Sequence, residues 1–337
     1  MTLRIFIATA LLFIVSGWLP AASPAENLLR KPDEWFRSDA GQETLENVLS
    51  WQTDHGDWPK NKDTTSELFS GNGNKPAGTF DNSATTGELR LLARAYRVTE
   101  NQRYKQACLR GFDHILAAQY PNGGWPQYYP LSNGYHRHIT FNDGTMIRVM
   151  EFLRDAGSSE DFTFLDKDRR SAALKAVDRG IDCIIQCQVI VNGVPTVWCA
   201  QHHAESLVPV LARSYEHPSL SGAESAGILM YLMSLESPSP EVVSSVKAGV
   251  AWFESAKIEG YRYKKSKTEP ALTEDLSASP LWARFYDIDS NRPIFSDRDG
   301  VIMYEISEIG SERRGGYTWY GGWGANVLHA YAKWPHR

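Results

Sequence analysis

At 337 residues, 42% hydrophobic and 22% charged, the chain is long enough for one large domain or two ordinary ones, and too apolar to be disordered or low-complexity. Its formal charge of −5 excludes a general attraction to nucleic acid or anionic lipid, so basic groups that hold a polyanion must be concentrated locally. Residues 1–25 read as a secretory leader. Arg4 gives the positive start, Ile5 to Val15 is an apolar stretch of 11 residues, short for a membrane span, and Ala21, Ala22, Ser23 and Ala25 offer cleavage positions between Ala22 and Ala25. A single N-terminal membrane anchor is the alternative. The leader reading makes 26–337 a secreted or periplasmic domain, off the membrane once the leader is removed.

Helical periodicity then dominates. A helix is expected at about 41–52, followed by three helical pairs, 83–97 with 103–119, 143–156 with 167–188, and 223–235 with 240–256, and by a closing helix at 323–333. The first helix of each pair is apolar on several sides, as an inner helix is; the second carries a charged stripe such as Arg103, Lys105 and Arg110. Three hairpins of this kind make an all-α fold, an (α/α)3 toroid or partial barrel, with inner-helix starts on one face. The loops 53–80, 120–141, 189–222 and 257–322 feed that face, and the last is long enough to contain short strands.

A recurring motif supports the repeat. Val48-Leu49-Ser50-Trp51-Gln52 runs into Gly56-Asp57-Trp58-Pro59, and Ile115-Leu116-Ala117-Ala118-Gln119 into Gly123-Gly124-Trp125-Pro126. A degenerate third copy spans Cys183 to Gln188, with Gly193, Pro195 and Trp198 in its loop. Each loop leads to a polar cluster that opens a helix: Asp81-Asn82, Asn142-Asp143 and Glu224-Ser225. Repetition gathers these clusters in space although they are far apart in the chain.

Asp81 and Asp143 stand at what read as matching positions of two repeats. N-capping is the bland account of each. Two carboxylates on one face also suit a hard cation with oxygen ligands, or the acid/base pair of a glycosidase. Glu224 is the weaker third-repeat counterpart. Basic residues feed the same face: Lys60 and Lys62 from the first loop, Arg213 from the third, and Arg284, Arg292 and Arg298 from the last. Arginine binds carboxylates through paired hydrogen bonds, so arginines, a cation and aromatic residues such as Trp125 and Tyr320 describe a surface for an acidic sugar polymer. The aromatic residues equally fit a Trp-rich core. Cys108, Cys183, Cys187 and Cys199 allow three full pairings, a buried thiol pair at Cys183 and Cys187 being as consistent as a bridge; the absence of any CxxC argues against zinc.

From about residue 30 to 334 the chain resembles the polysaccharide lyase family 10 pectate lyases. The resemblance is carried by GDWPKN at 56–61, TFDNSAT at 79–85, QYPNGGWPQYYP at 119–130, ITFNDGTM at 139–146, the stretch 197–233, WARFYDIDSNRPIFSDRDG at 282–300 and GYTWYGGW at 316–323. It implies calcium dependence and β-elimination on polygalacturonate or pectin by a protein expected to act as a monomer. By motif position it makes Asp81 and Asp143 calcium and substrate carboxylates, Arg213 the catalytic arginine, and Arg284 and Arg298 substrate-carboxylate binders. Two departures stand out: Asp297 beside Arg298, and His203 where an acid is expected.

Overall fold

A computed structural model of the chain describes residues 23–71, 73, 75–267 and 271–337. Of the expected leader, positions up to 22 lie outside the described residues, while Ser23 to Ala25 are described. The Ser23 hydroxyl accepts from the Glu26 N–H at 3.3 Å and caps α1 (Pro24–Asn27), while Ala25 is fully buried.

Two helices, α2 (Asp33–Arg37) and α3 (Asp39–Trp51), lead into three hairpins: α4 (Thr86–Thr99) with α5 (Gln102–Ala117), α6 (Thr145–Ser158) with α7 (Lys167–Cys187), and α8 (Gly222–Met233) with α9 (Pro240–Ser255). After a long loop holding the short α10 (Ser311–Gly316), α11 (Trp323–Lys333) packs on α8 and α9. The inner helices α4, α6 and α8 pack in succession, and the outer helices α5, α7 and α9 do the same behind them. The expected helices all occur, displaced at most by three residues at an end. Among the described residues no helix is long and apolar enough to cross a membrane.

Outer helices begin conventionally. Ser38 accepts from the Gly41 N–H, Asn101 from Arg103, Asp166 from Arg169 and Ser239 from Val242, each satisfying a free N–H of the first turn. Inner helices α4 and α6 begin otherwise: neither has a side-chain cap, and each is entered through a turn with left-handed residues. Asp81 and Asp143 therefore do not cap helices.

The recurring motif is a fastening. The Trp58 indole donates to the Val48 carbonyl at 2.8 Å, Trp125 to Ile115 at 2.9 Å and Trp198 to Ile184 at 2.7 Å, each back to the end of its own preceding outer helix. Trp282 repeats the contact on Phe253 at 2.9 Å. The glutamines ending the helices reach sideways: Gln52 donates to Ala107 O of α5, Gln119 to Ala176 O of α7, and Gln188 to Ser245 O of α9. Gly56 and Gly123 have φ of +99° and +92°, and a Cβ would meet backbone of the next outer helix at 2.8 Å (Arg110) and 2.0 Å (Arg179). Only glycine permits so close an approach at that φ.

Short antiparallel pairs stitch the loops together. Ile139–Thr140 pairs with Gln201–His202, Leu220–Ser221 with Phe285–Tyr286, and Trp282–Ala283 with Tyr320–Gly321. The loop 257–322 thus contains strands, as its length implied. Trp58, Trp125, Trp198, Trp282 and Trp319 are among the largest fully buried side chains, so most loop tryptophans serve the core. The four cysteines are buried free thiols, without disulfides.

Candidate active site

The first two inner-helix entrances share one backbone path. Thr79 N–H donates to Trp58 O and Thr140 N–H to Trp125 O, each at a distance of 3.0–3.1 Å, which fixes the register between the units. Phe80 then matches Phe141 (φ −96° and −92°), and Asn82 matches Asp143 (φ +53° and +50°). The two aspartates are therefore not equivalent, contrary to the sequence reading: Asp81 matches Asn142, and Asp143 matches Asn82. The offset decides their surroundings. Asp81 and Asn142 point inward (1% and 3% exposed), whereas Asp143 lies at the partly open position. Glu224 has no true counterpart. The third unit runs from its Trp198 O contact at Ser221 to its Trp198 N contact at Ser225, two residues shorter than the path from Thr79 to Thr85 in the first.

Asp81 Oδ2 accepts from Lys60 Nζ at 2.5 Å and from Gln127 Nε2 at 2.7 Å. Its Oδ1 is buried without a partner. Burial weighs against the Lys60 charge, but Asp81 outweighs it and holds the ammonium above its ordinary pKa. Gln127, fully inside and unremarked in the sequence, also accepts from Phe80 N–H and the Thr79 hydroxyl through its carbonyl. One residue of the second unit's loop thus sets the first unit's acid.

Arg284 joins the second and third units. Its Nη2 lies 2.5 Å from Glu224 Oε1, 3.2 Å from Asp143 Oδ1 and 3.2 Å from Asn142 Oδ1. The guanidinium is 4% exposed and lies over Tyr317 at 4.8 Å. Burial opposes its charge, but the Glu224 and Asp143 carboxylates outweigh it and hold it well above the ordinary arginine value. Arg284 is a strut among buried acceptors more than an open fork, and its charge reaches the surface through Asp143.

Arg213 stands in a turn closed by Glu216 N–H to Arg213 O at 2.8 Å. Glu216 accepts from Arg213 Nη1 at 2.9 Å and from the Tyr317 hydroxyl at 2.8 Å. Tyr317 therefore touches Arg213's partner Glu216 and Arg284 itself. Lys60 and Arg213 also oppose each other's charge, and both depress His136, whose pKa burial lowers first. The fold thus draws Asp81, Lys60, Asp143, Arg284 and Arg213 to one face. Tyr128, His136 and Tyr135 form a ring-on-ring row beside them, with centroids 5.1 and 3.9 Å apart.

Other expected residues lie elsewhere. Trp125 is a fully buried fastening, and Tyr320 is 5% exposed in a strand against Phe295 and Tyr263, so neither is a surface for sugar; the substrate-contact reading of both is corrected. Arg292 lies over exposed Tyr304 at 4.1 Å and takes no part in the cluster. Lys62 is exposed. Arg298 is exposed beside Arg213's turn: Ser214 donates to its carbonyl at 2.8 Å, and it pairs with Glu312 at 3.3 Å. Its sequence neighbour Asp297 is engaged elsewhere, accepting from Gly310 N–H at 2.5 Å. Arg313, missed in the sequence, is 7% exposed with its guanidinium over Tyr215 at 4.7 Å. His203 is held by backbone: its Nδ1 accepts from Glu205 and Ser206 N–H groups.

Among the described residues no three His, Cys, Asp or Glu side chains form a ready-made metal cage. The donors present are nonetheless all oxygen, and the orphaned buried Asp81 Oδ1 is the kind of atom a hard cation satisfies. Asp143 is the open second carboxylate. The residues fit a cation whose coordination is completed by a ligand from outside.

The family model for pectic acid lyase matches residues 52–328. Among solved structures, a family 10 polysaccharide lyase from Cellvibrio cellulosa is 37% identical, with a TM-score of 0.82, covering 95% of this chain and 100% of that one. A mutant of a Cellvibrio cellulosa family 10 lyase in complex with trigalaturonic acid is also 37% identical, with a TM-score of 0.82, covering 93% and 97%. No curated protein matches the chain significantly.

Proposed function

Starting from a chain that belongs to the pectic acid lyase family and is a polysaccharide lyase, we propose that it is a secreted, calcium-dependent pectate lyase. It cleaves α-1,4-polygalacturonate by β-elimination and leaves 4,5-unsaturated oligogalacturonates. The hairpin array closes as an (α/α)3 toroid, and the leader directs a monomer to the periplasm or outside the cell. The observation that carries the reading is the buried, partnerless Asp81 Oδ1 beside Lys60, on the face that also bears Asp143 and Arg213.

In galacturonate the C5 proton is α to the C6 carboxylate, and its removal adds negative charge to that group. Asp81 and Asp143 would hold the calcium, which when bound supplies Lewis-acid charge against the developing enolate. Lys60 and Arg298 attract the uronate chain, and Arg284 fixes Asp143. Arg213 takes the C5 proton; the C5–H electron pair becomes the C4–C5 double bond, and the C4–O4 pair leaves with oxygen, which is protonated from solvent. No water is added across the bond. Burial weighs against the charge on Arg213, but the Glu216 carboxylate outweighs it and holds the guanidinium above the ordinary arginine value. The resting guanidinium is therefore protonated, and the competent neutral form grows with pH, which gives an alkaline optimum.

The test is polygalacturonate with calcium and then with chelator, following the ultraviolet absorbance of the product. Calcium-dependent absorbance is expected, because only elimination creates a conjugated uronate. Reducing ends without absorbance would identify a hydrolase, and neither would identify a pectin-binding protein.

A further inference from the structure

We propose that Glu216 is the positioning residue of Arg213, its carboxylate fixing both where the guanidinium points and how firmly it keeps its proton. The proposal rests on the reading of Arg213 as the base.

The geometry is unusually complete. Glu216 is 2% exposed, while the Arg213 side chain is 35% exposed. Glu216 Oε1 takes the Arg213 Nη1–H at 2.9 Å and Oε2 the Arg213 backbone N–H at 3.2 Å. The backbone of the same turn is closed twice, Glu216 N–H to Arg213 O and Ala212 N–H to Glu216 O. Tyr317, itself wedged against Arg284 at 4.8 Å and Phe285 at 6.2 Å, donates to Glu216 Oε1 at 2.8 Å and stops the carboxylate from turning. Glu216 thus holds one edge of the guanidinium, and Tyr135 lies within hydrogen-bond reach of it.

The charged and titratable groups facing Arg213 are few. Tyr215 and Glu216 come from its own turn, Tyr135 and His136 from the loop 120–141, Lys60 from the loop 53–80, and Tyr317 from the C-terminal loop. Burial keeps Tyr135 and Tyr317 neutral and depresses His136. Glu216 is therefore the anionic member of that set. It orients the guanidinium and, by the same ion pair, opposes its deprotonation. Orientation at neutral pH comes at the expense of base strength.

Three variants separate these effects, with kcat and KM measured on polygalacturonate at saturating calcium across neutral to alkaline pH. For Glu216→Gln the alkaline limb moves to lower pH by about 1 unit, at the low end for loss of an adjacent opposite charge because the pair is partly exposed. Plateau kcat falls roughly tenfold through lost alignment, with KM changed less. Tyr317→Phe keeps the charge but frees the carboxylate, so kcat falls while the limb stays in place. Glu216→Asp shortens the reach and keeps the charge, with the same outcome as Tyr317→Phe, and it carries the test if Glu216→Gln does not fold. An unmoved limb in folded Glu216→Gln, or a limb that moves equally in the charge-keeping variants, overturns the proposal. Wild-type protein that forms no unsaturated product refutes the lyase reading instead, a result visible before any variant is made.

Discussion

Replacing Glu88 with glutamine tests how burial sets a charge beside the site. Glu88 sits in the first turn of α4, 1% exposed; Oε1 accepts from the Thr64 hydroxyl at 3.1 Å and Oε2 has no partner. Burial pushes the carboxyl from 4.5 up to about 7. In that window the folded protein holds a proton that the unfolded chain has released. The stabilisation is complete below the unfolded value and is lost as pH rises through the folded one. A shift of this size corresponds to about 3 kcal/mol. His202 runs the other way: burial lowers it from 6.5 to about 4, so its contribution is lost as pH falls through that window. The two trends offset in the wild type. The readout is therefore the gap between Glu88→Gln and wild type in thermal or urea unfolding at several pH values. The proteins should be nearly equal at pH 5, and the variant more stable at pH 8 by about 3 kcal/mol, on the order of 5–10 °C in Tm. A gap that does not change with pH would refute the argument that burial holds this proton. Since Thr64 belongs to the loop that carries Lys60, the same titration alters how firmly that loop is anchored.

Arg213→Ala should abolish turnover while oligogalacturonate binding, followed by calorimetry, persists; retained activity removes Arg213 as the base. In Asp143→Ala the calcium needed for half-maximal activity should rise roughly tenfold or more, as expected when one charged ligand is lost; an unchanged titration would mean that Asp143 is no ligand. Trp125→Ala should destabilise the fold by about 3–5 kcal/mol in urea unfolding, the cost of emptying a buried aromatic site. A stable variant with weakened sugar binding would return Trp125 to the substrate surface.

The helices were legible in the sequence because their apolar spacing is regular and their polar turns are short. The gathering of distant acids and basic residues on one face followed from the repeat alone. The relation between Asp81 and Asp143 was not legible, because it depends on where the backbone turns left-handed: Phe80 aligns with Phe141, which slides one aspartate a place past the other. A tryptophan between glycine and proline looks the same in one dimension whether it faces a sugar or a carbonyl, and Trp125 faces Ile115 O. Glu216 had a signal, an acid three residues after the arginine proposed as the base. Tyr317 and Gln127 had none, since each meets its partner only through tertiary packing.

The indole latches have a thermal consequence. Each ties a loop to the outer helix that precedes it, so a loop can open locally while the helices stay packed. The proposed reaction nevertheless draws an acid from the first unit, another from the second and a base from the third. Opening any one of them leaves most of the molecule folded and none of it competent, so heating should silence the enzyme well before it melts.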